Sequence, residues 1–141
     1  MKNYILKAFL LLTTLTFIIS CSKDDEPVTE PSLIGNWEFS KETNSAGVFV
    51  NYQHEVGCGK DKLEFTAATL KSTSFDSSTN GTVVSCTETI ESFSYNRNGN
   101  LLTVNAGQPA TILTIVSITA TELTLKQGTG PDESSVILKR L

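Results

Sequence analysis

The sequence reads as an all-β protein, an antiparallel up-and-down barrel of about eight short strands. Three observations lead there. From Thr43 onward, Ser, Thr and Asn alternate with β-branched and other apolar residues, which is the composition of a half-buried sheet. Apolar residues never recur with a period of about 3.6 over a helix-length run. Turn signals, above all Asn80-Gly81 and Asn98-Gly99, divide the chain into short runs, so consecutive strands should be neighbours. A flat sheet of so many twisted strands would leave two exposed edges, and pairing the first strand with the last removes both.

The chain has 141 residues, enough for one domain of ordinary size. Residues 1–20 read as a leader. Lys2 and Lys7 stand before the run from Ala8 to Ile19, which is apolar apart from three threonines. A basic start and an apolar middle of about a dozen residues define a secretory signal. A permanent membrane helix is the alternative, but the run is shorter than the ~20 residues a comfortable span needs. Residues 21–32 carry Lys23, Asp24, Asp25 and Glu26 with Pro27 and Pro31, a composition that buries no core and reads as a solvated tether.

The folded region is expected at residues 33–141. Leu33 to Phe39 opens it, with the single tryptophan, Trp37, on one strand face with Phe39, and Asn36, Glu38 and Ser40 on the other. Thr43 to Gly47 reads as a turn and Val48 to Tyr52 as a second strand. Two glycines break the pattern around Cys58, after which Leu63-Glu64-Phe65 alternates and Thr69 to Phe75 continues as a polar strand. Asp76 to Gly81 reads as a turn. Thr82 to Thr87 resumes as a strand, and Ile90 to Tyr95 puts Phe93 and Tyr95 on one face. Asn96 to Asn100 is the clearest hairpin turn, answered by Leu101 to Val104. Ala110 to Ile118, Glu122 to Lys126 and Ser135 to Leu141 complete the meander.

Net charge is −4, from 15 Asp+Glu against 11 Lys+Arg, and loss of Lys2 and Lys7 with the leader makes the balance more acidic. Such a surface repels phosphate backbones, so nucleic acid is not an expected partner. His54 is the only histidine and has no Ser-His-Asp or Cys-His pattern around it, so a surface or strand-end residue is a better reading than a general base. Asp61 and Glu64, like Glu88 and Glu91, are three apart and face opposite sides of a strand, which makes poor acid pairs. Asp61 is expected to cap or pair locally. No enzyme activity, cofactor or metal site is expected, since two cysteines without a second pair do not build a zinc site. Asn80-Gly81-Thr82 fits a glycosylation sequon, a reading that a bacterial leader disfavours.

Ile18-Ile19-Ser20-Cys21 resembles a bacterial lipobox. The resemblance implies that Cys21 is thioether-linked to diacylglycerol and becomes the N-acylated mature terminus. Two or three acyl chains, at ~0.8 kcal/mol per buried methylene, would anchor the protein in a membrane far better than one. An ordinary signal ending near a buried cysteine is the competing reading. Lys23-Asp24-Asp25 resembles the export signal of surface lipoproteins in the Bacteroidetes phylum, which implies an outer-membrane location with display at the cell surface. With Cys21 lipidated, Cys58 and Cys86 are left as an even pair in an exported protein, which favours a disulfide over two buried thiols.

Gly35-Asn36-Trp37 at the head of a meander resembles the Gly-x-Trp signature of the lipocalin superfamily. Cys58-Gly59-Lys60-Asp61 with Phe65, then Cys86 before Tyr95 and Leu101 to Val104, is similar to the small lipocalin-like domains of Bacteroidetes lipoproteins. The resemblance implies that Trp37 plugs the closed end of the barrel and that Arg140, near the chain end, stacks on it. It also implies a monomer that binds a small apolar ligand or a lipid. The alternative is a barrel packed solid by its own side chains that meets another protein or a glycan through its loops or outer face. The domain is shorter than an ordinary lipocalin and lacks its other sequence blocks, which argues against a roomy cavity. Metabolic labelling with a palmitate analogue should tag the wild type and not Cys21→Ala; equal labelling of both would rule out lipidation at that residue.

Overall fold

The computed structural model describes residues 31–141; the expectations placed on residues 1–20, on Cys21 and on the tether up to Glu30 lie outside the described residues. Nine strands follow in chain order: β1 (Gly35–Thr43), β2 (Phe49–Asn51), β3 (Lys62–Phe65), β4 (Thr69–Asn80), β5 (Val83–Asn98), β6 (Leu101–Val104), β7 (Thr111–Ile118), β8 (Glu122–Gln127) and β9 (Ser134–Arg140). A 3-10 turn, Gly130–Asp132, precedes β9. Every pairing is antiparallel, and from β3 to β9 each strand is bonded to the next.

Closure comes from β1. One edge pairs with β3 over Gly35–Glu38, and the other pairs with β9 from Trp37↔Arg140 to Glu42↔Val136. Eight strands thereby form a closed antiparallel barrel, as the meander led us to expect. The short β2 pairs with Lys41–Thr43, beyond the stretch of β1 that β3 occupies, so it lengthens the wall and adds no stave. Register shifts at Phe39/Lys41 and Ile115/Ser117 mark bulges, which bend strands and help a small sheet curl.

Two stretches depart from their sequence reading. Asn96 to Asn98 are the end of β5, paired with β6 as far as Asn98↔Leu101, so that hairpin turn is only Gly99-Asn100. Asp76 to Asn80 is strand, not turn: β4 and β5 stay in register without a shift from Thr69↔Ser94 to Asn80↔Val83, leaving only Gly81-Thr82 as the connection. The polar run mimics a turn composition, but a ladder already started in the barrel wall carries it on as strand. Gly81 has φ +65°, which glycine adopts without the Cβ clash of other residues. The outer part of this ribbon, Asp76–Asn80 with Val83–Ser92, is exposed throughout.

Alternate residues of the eight staves fill the interior. Trp37, Phe65, Leu102, Leu123 and Leu138 are fully buried, and Leu33, Leu70, Val104, Ile115 and Leu125 join them. A barrel of about eight strands is just wide enough for side chains to fill, and here they do so at the end where β1 begins. The Trp37 indole N–H donates to the Leu33 carbonyl at 2.9 Å, so the approach to β1 folds under the barrel. The Arg140 guanidinium lies 4.1 Å from the Trp37 ring centroid. Its N–H groups donate to the carbonyls of Ala120 (2.8 Å), Ile34 (2.9 Å) and Ser32. Gly35 is required there twice over: its φ is +141°, and a Cβ at that position would stand 2.5 Å from Arg140 Nη1.

Trp37→Ala should lower unfolding stability by about 3–5 kcal/mol, as truncation of a buried aromatic does. Arg140→Ala should lower it less, with a stacking contribution of about 0.5–2 kcal/mol. Denaturant unfolding of both single variants and the double should give a non-additive cycle; strict additivity would mean that the stacking adds nothing.

Candidate functional site

At the other end, where β1 finishes and β9 starts, the interior is not filled. A cavity of about 170 Å³ is lined by Phe39, Leu63, Leu113, Leu125 and Val136, with Lys126, Gln127 and Ser134 among its polar lining. The strands explain the lining. Leu113 pairs with Leu102 on β6, Leu125 pairs with both Ile115 and Val136, and Leu63 faces Trp37 across the β1–β3 ladder. All are inward positions directly beside the solid layer, and Leu125 and Leu63 belong to the same buried cluster. Lys126 makes an ion pair with Glu133 at 3.2 Å. A broader depression of about 530 Å³ runs along Leu101, Ile112, Thr114 and the β6–β7 and β8–β9 connections. Leu101 and Ile112 are both exposed and alternate with the inward Leu102 and Leu113, so that depression belongs to the outer wall.

Beside the cavity, the chain from Tyr52 to Asp61 is tied down by a compact polar knot. Asp61 is buried, and both carboxylate oxygens are engaged: the Tyr52 hydroxyl donates to Oδ2 at 2.7 Å and the Phe75 backbone N–H to Oδ1 at 2.9 Å. The Asp61 N–H donates to His54 Nδ1 at 3.1 Å, and the His54 Nε2 lies 2.9 Å from the Phe39 carbonyl. Nδ1 is therefore the acceptor and Nε2 carries the proton, a tautomer set by the two partners. The Tyr52 ring stacks on Phe39 at 4.8 Å and meets the His54 ring edge-on at 4.9 Å. Phe39, which lines the cavity, is thus braced from behind by this knot.

The same segment grips the β4–β5 ribbon. The ladder places Phe75 and Glu88, Ser77 and Cys86, and Thr79 and Val84 opposite one another on a single ribbon face. Cys86 on that face is disulfide-bonded to Cys58, with Cα atoms 5.6 Å apart. The Ser77 hydroxyl donates to Glu55, and a methyl at Gly59 would overlap the Phe75 ring, so only glycine lets the chain lie this close. Linking residues 28 positions apart removes chain entropy from the unfolded state, about 3–4 kcal/mol in the usual loop model.

The sequence-predicted residues fall into two groups. Gly35, Trp37 and Arg140 meet at the filled end and line neither of the two depressions described above. Cys58 and Cys86 sit at the open end and hold the ribbon, not the cavity wall. His54, expected as a surface or strand-end residue, follows β2 with its ring partly buried and both nitrogens bonded. The cavity lining itself was missed; inward periodicity marks Leu113, Leu125 and Val136 as interior but not as the rim of a void. Among the described residues, no group of three His, Cys, Asp or Glu is placed to hold a metal ion.

A closed antiparallel barrel, solid at one end and hollow for a short depth at the other, is the architecture of a small binding barrel. A family profile described as a lipocalin-like domain matches residues 33–125, about two thirds of the chain, and the chain belongs to that family. Lipocalin-like domains are generally non-enzymatic binding folds. No curated protein and no solved structure matched the chain.

Burial, then the Asp61 hydrogen bond, then the charges of Asp61, Glu42 and Glu55 push the Tyr52 hydroxyl well above the ordinary tyrosine value. The folded protein therefore holds its phenolic proton more tightly than the unfolded chain does. The associated stability is fully present below about pH 10, the unfolded value, and is lost as pH rises past it. Tyr95, also raised by burial against an opposing Arg97, acts in the same direction. Thermal melts from pH 8 to pH 11 should show Tm falling with pH above about 10, less steeply in Tyr52→Phe. An identical slope in the variant would exclude Tyr52 as a source of the fall.

Proposed function

We propose that this protein is a lipid-anchored binding module of the bacterial outer membrane, displayed at the cell surface. Its barrel would take a small apolar group into its open end. The observation that carries the binding reading is the apolar cavity bounded by Phe39, Leu63, Leu113, Leu125 and Val136. Its volume of about 170 Å³ is close to the ~150 Å³ engineered cavity that admits benzene, and below the ~300 Å³ at which drug-sized pockets begin. The occupant is accordingly a ring or a short branched alkyl group, carried by a larger molecule that stays outside, and not a whole lipid. Lys126, Gln127 and Ser134 in the lining suit an occupant with a polar continuation.

The anchoring half of the proposal rests on Ile18-Ile19-Ser20-Cys21 after an apolar leader, and the surface location on Lys23-Asp24-Asp25. A second reading, a packed barrel that works through its outer surface, is favoured by the solid layer of Trp37, Phe65, Leu102, Leu123 and Leu138.

Toluene, isovalerate and palmitate, titrated separately against the protein and followed by NMR, distinguish the two. Toluene and isovalerate should perturb methyl signals of Leu113, Leu125 and Val136 with Kd on the order of 1 mM, about −4 kcal/mol. Val136→Phe, which fills the void, should abolish the response while leaving the rest of the spectrum in place. No saturable shift with any of the three would hand the function to the outer surface.

A further inference from the structure

Strand β5 is much longer than its partner on one side. Its pairing with β6 covers only Tyr95–Asn98, and the Asn105 N–H adds one bond to the Ser94 carbonyl at 3.0 Å. On the other side the whole strand from Val83 to Ser94 is paired with β4. Backbone groups of successive residues in an antiparallel strand point to alternate sides. Ser94 directs its carbonyl toward β6, while the Tyr95 N–H donates the other way, to the Ala68 carbonyl at 3.1 Å. The N–H and C=O groups of Val84, Cys86, Glu88, Ile90 and Ser92 therefore lie along the free edge. Every residue from Val83 to Ser92 is exposed, with Val84 and Ile90 about half open to solvent.

Proteins blunt such edges with charged side chains, lysine above all, and with proline, bulges or short strands. This edge carries two glutamates but no lysine, proline or bulge, and it is long. The segment Val83–Ser94 contains no Lys, Arg or Pro, and its register against β4 is unbroken. The edge is also held in place in advance: the Cys58–Cys86 disulfide and the Glu55–Ser77 hydrogen bond clamp one face of the ribbon and leave the edge clear. Its unpaired charge is of one sign, since Lys71, opposite Ser92, is paired with Glu64 at 3.7 Å. Glu88 and Glu91 are on β5 and Asp76 is on β4 opposite Thr87. Among the described residues the ion pairs are Lys60–Glu38, Lys71–Glu64 and Lys126–Glu133, so none of these three carboxylates is neutralised.

We propose that the free edge of β5, Val84–Ser92, is a docking edge for an extended, basic segment of another protein, which adds to it as a further strand. Main-chain bonds along the edge supply the affinity, and Glu88 and Glu91, on opposite faces, select lysine or arginine on both faces of the incoming strand. A second copy of this chain is the poorer occupant, because it would bring the same two glutamates to an edge already acidic. This inference stands apart from the cavity and from any occupant of it.

The test uses the full chain in detergent and a synthetic peptide repeating Lys-Lys-Val-Val, which puts lysine on both faces of a strand, capped at both ends. Two controls accompany it: the same peptide with glutamate for lysine, and the lysine peptide N-methylated at alternate residues. Calorimetry should give saturable binding for the lysine peptide only, and amide exchange should slow selectively at Val84, Cys86, Glu88, Ile90 and Ser92. The double variant E88K/E91K should bind the lysine peptide about tenfold more weakly and accept the glutamate peptide instead. These substitutions are on exposed positions, so an unchanged melting curve shows that the barrel is intact. Equal binding of the N-methylated peptide would reduce the site to simple charge attraction and overturn strand addition. Protection of β5 that rises with protein concentration in the absence of peptide would assign the edge to self-association and overturn the basic partner. Absence of binding to any peptide would likewise overturn it.

Discussion

Arg140 stands opposite Trp37 in the β1–β9 ladder and covers the indole with its guanidinium, so one side chain both ends the last strand and lids the first. Several other features depend on that contact. Gly35 must lack a side chain because the guanidinium occupies the space. The segment before β1 turns under the barrel because Arg140 bonds the carbonyls of Ser32 and Ile34 while Trp37 bonds that of Leu33. A cation over an aromatic face needs no buried counter-ion, which suits an end of the barrel with no acidic residue among its core positions. Without this closure β1 and β9 would each present an unpaired edge.

The two ends of the barrel are built on opposite principles. The filled end is apolar and is sealed by one stacked arginine. The open end is braced from outside by polar groups that satisfy one another: Tyr52 on Asp61, Asp61 on Phe75 and His54, His54 on Phe39. No buried side-chain nitrogen or oxygen among the described residues lacks a partner. A buried carboxylate is tolerable here because its two oxygens accept two hydrogen bonds, where an unbonded one would be expensive. That bracing lets Phe39 stand as a cavity wall without a filled interior behind it.

What could be read from the residues, and what could not, divides along physical lines. Strand alternation, the turns at Gly81 and Gly99, and the need to close many short strands are local or topological properties, and the closed antiparallel barrel follows from them. The β4–β5 ribbon was shortened in the sequence reading because Asp76 to Asn80 is rich in turn formers; only cross-strand register, a non-local property, overrides that composition. The knot around Asp61 was reduced to local capping because Tyr52, His54 and Phe75 belong to different elements that meet only when the chain folds. The cavity was illegible for a stricter reason. Its volume is the small remainder left by side chains from several strands, and no single residue pattern encodes a remainder.

Closure by β9 also imposes an order in time. The carbonyl of Ile34 and the guanidinium of Arg140 are separated by 106 positions, so the contact that seals the barrel links the opposite ends of the domain. Contacts of such separation carry the largest loop-closure entropy and form late. As the chain emerges, the hairpins from β3 to β8 can assemble one by one, while β1 keeps one edge vacant until the final strand arrives. For that interval the domain is a half-wound sheet with a waiting slot, and any extended segment that reaches β1 before β9 does competes for the same hydrogen bonds. The chemistry of the last seven strand residues, with Val136, Ile137 and Leu138 inside a frame of serine, lysine and arginine, therefore decides how quickly the slot is filled by the right occupant.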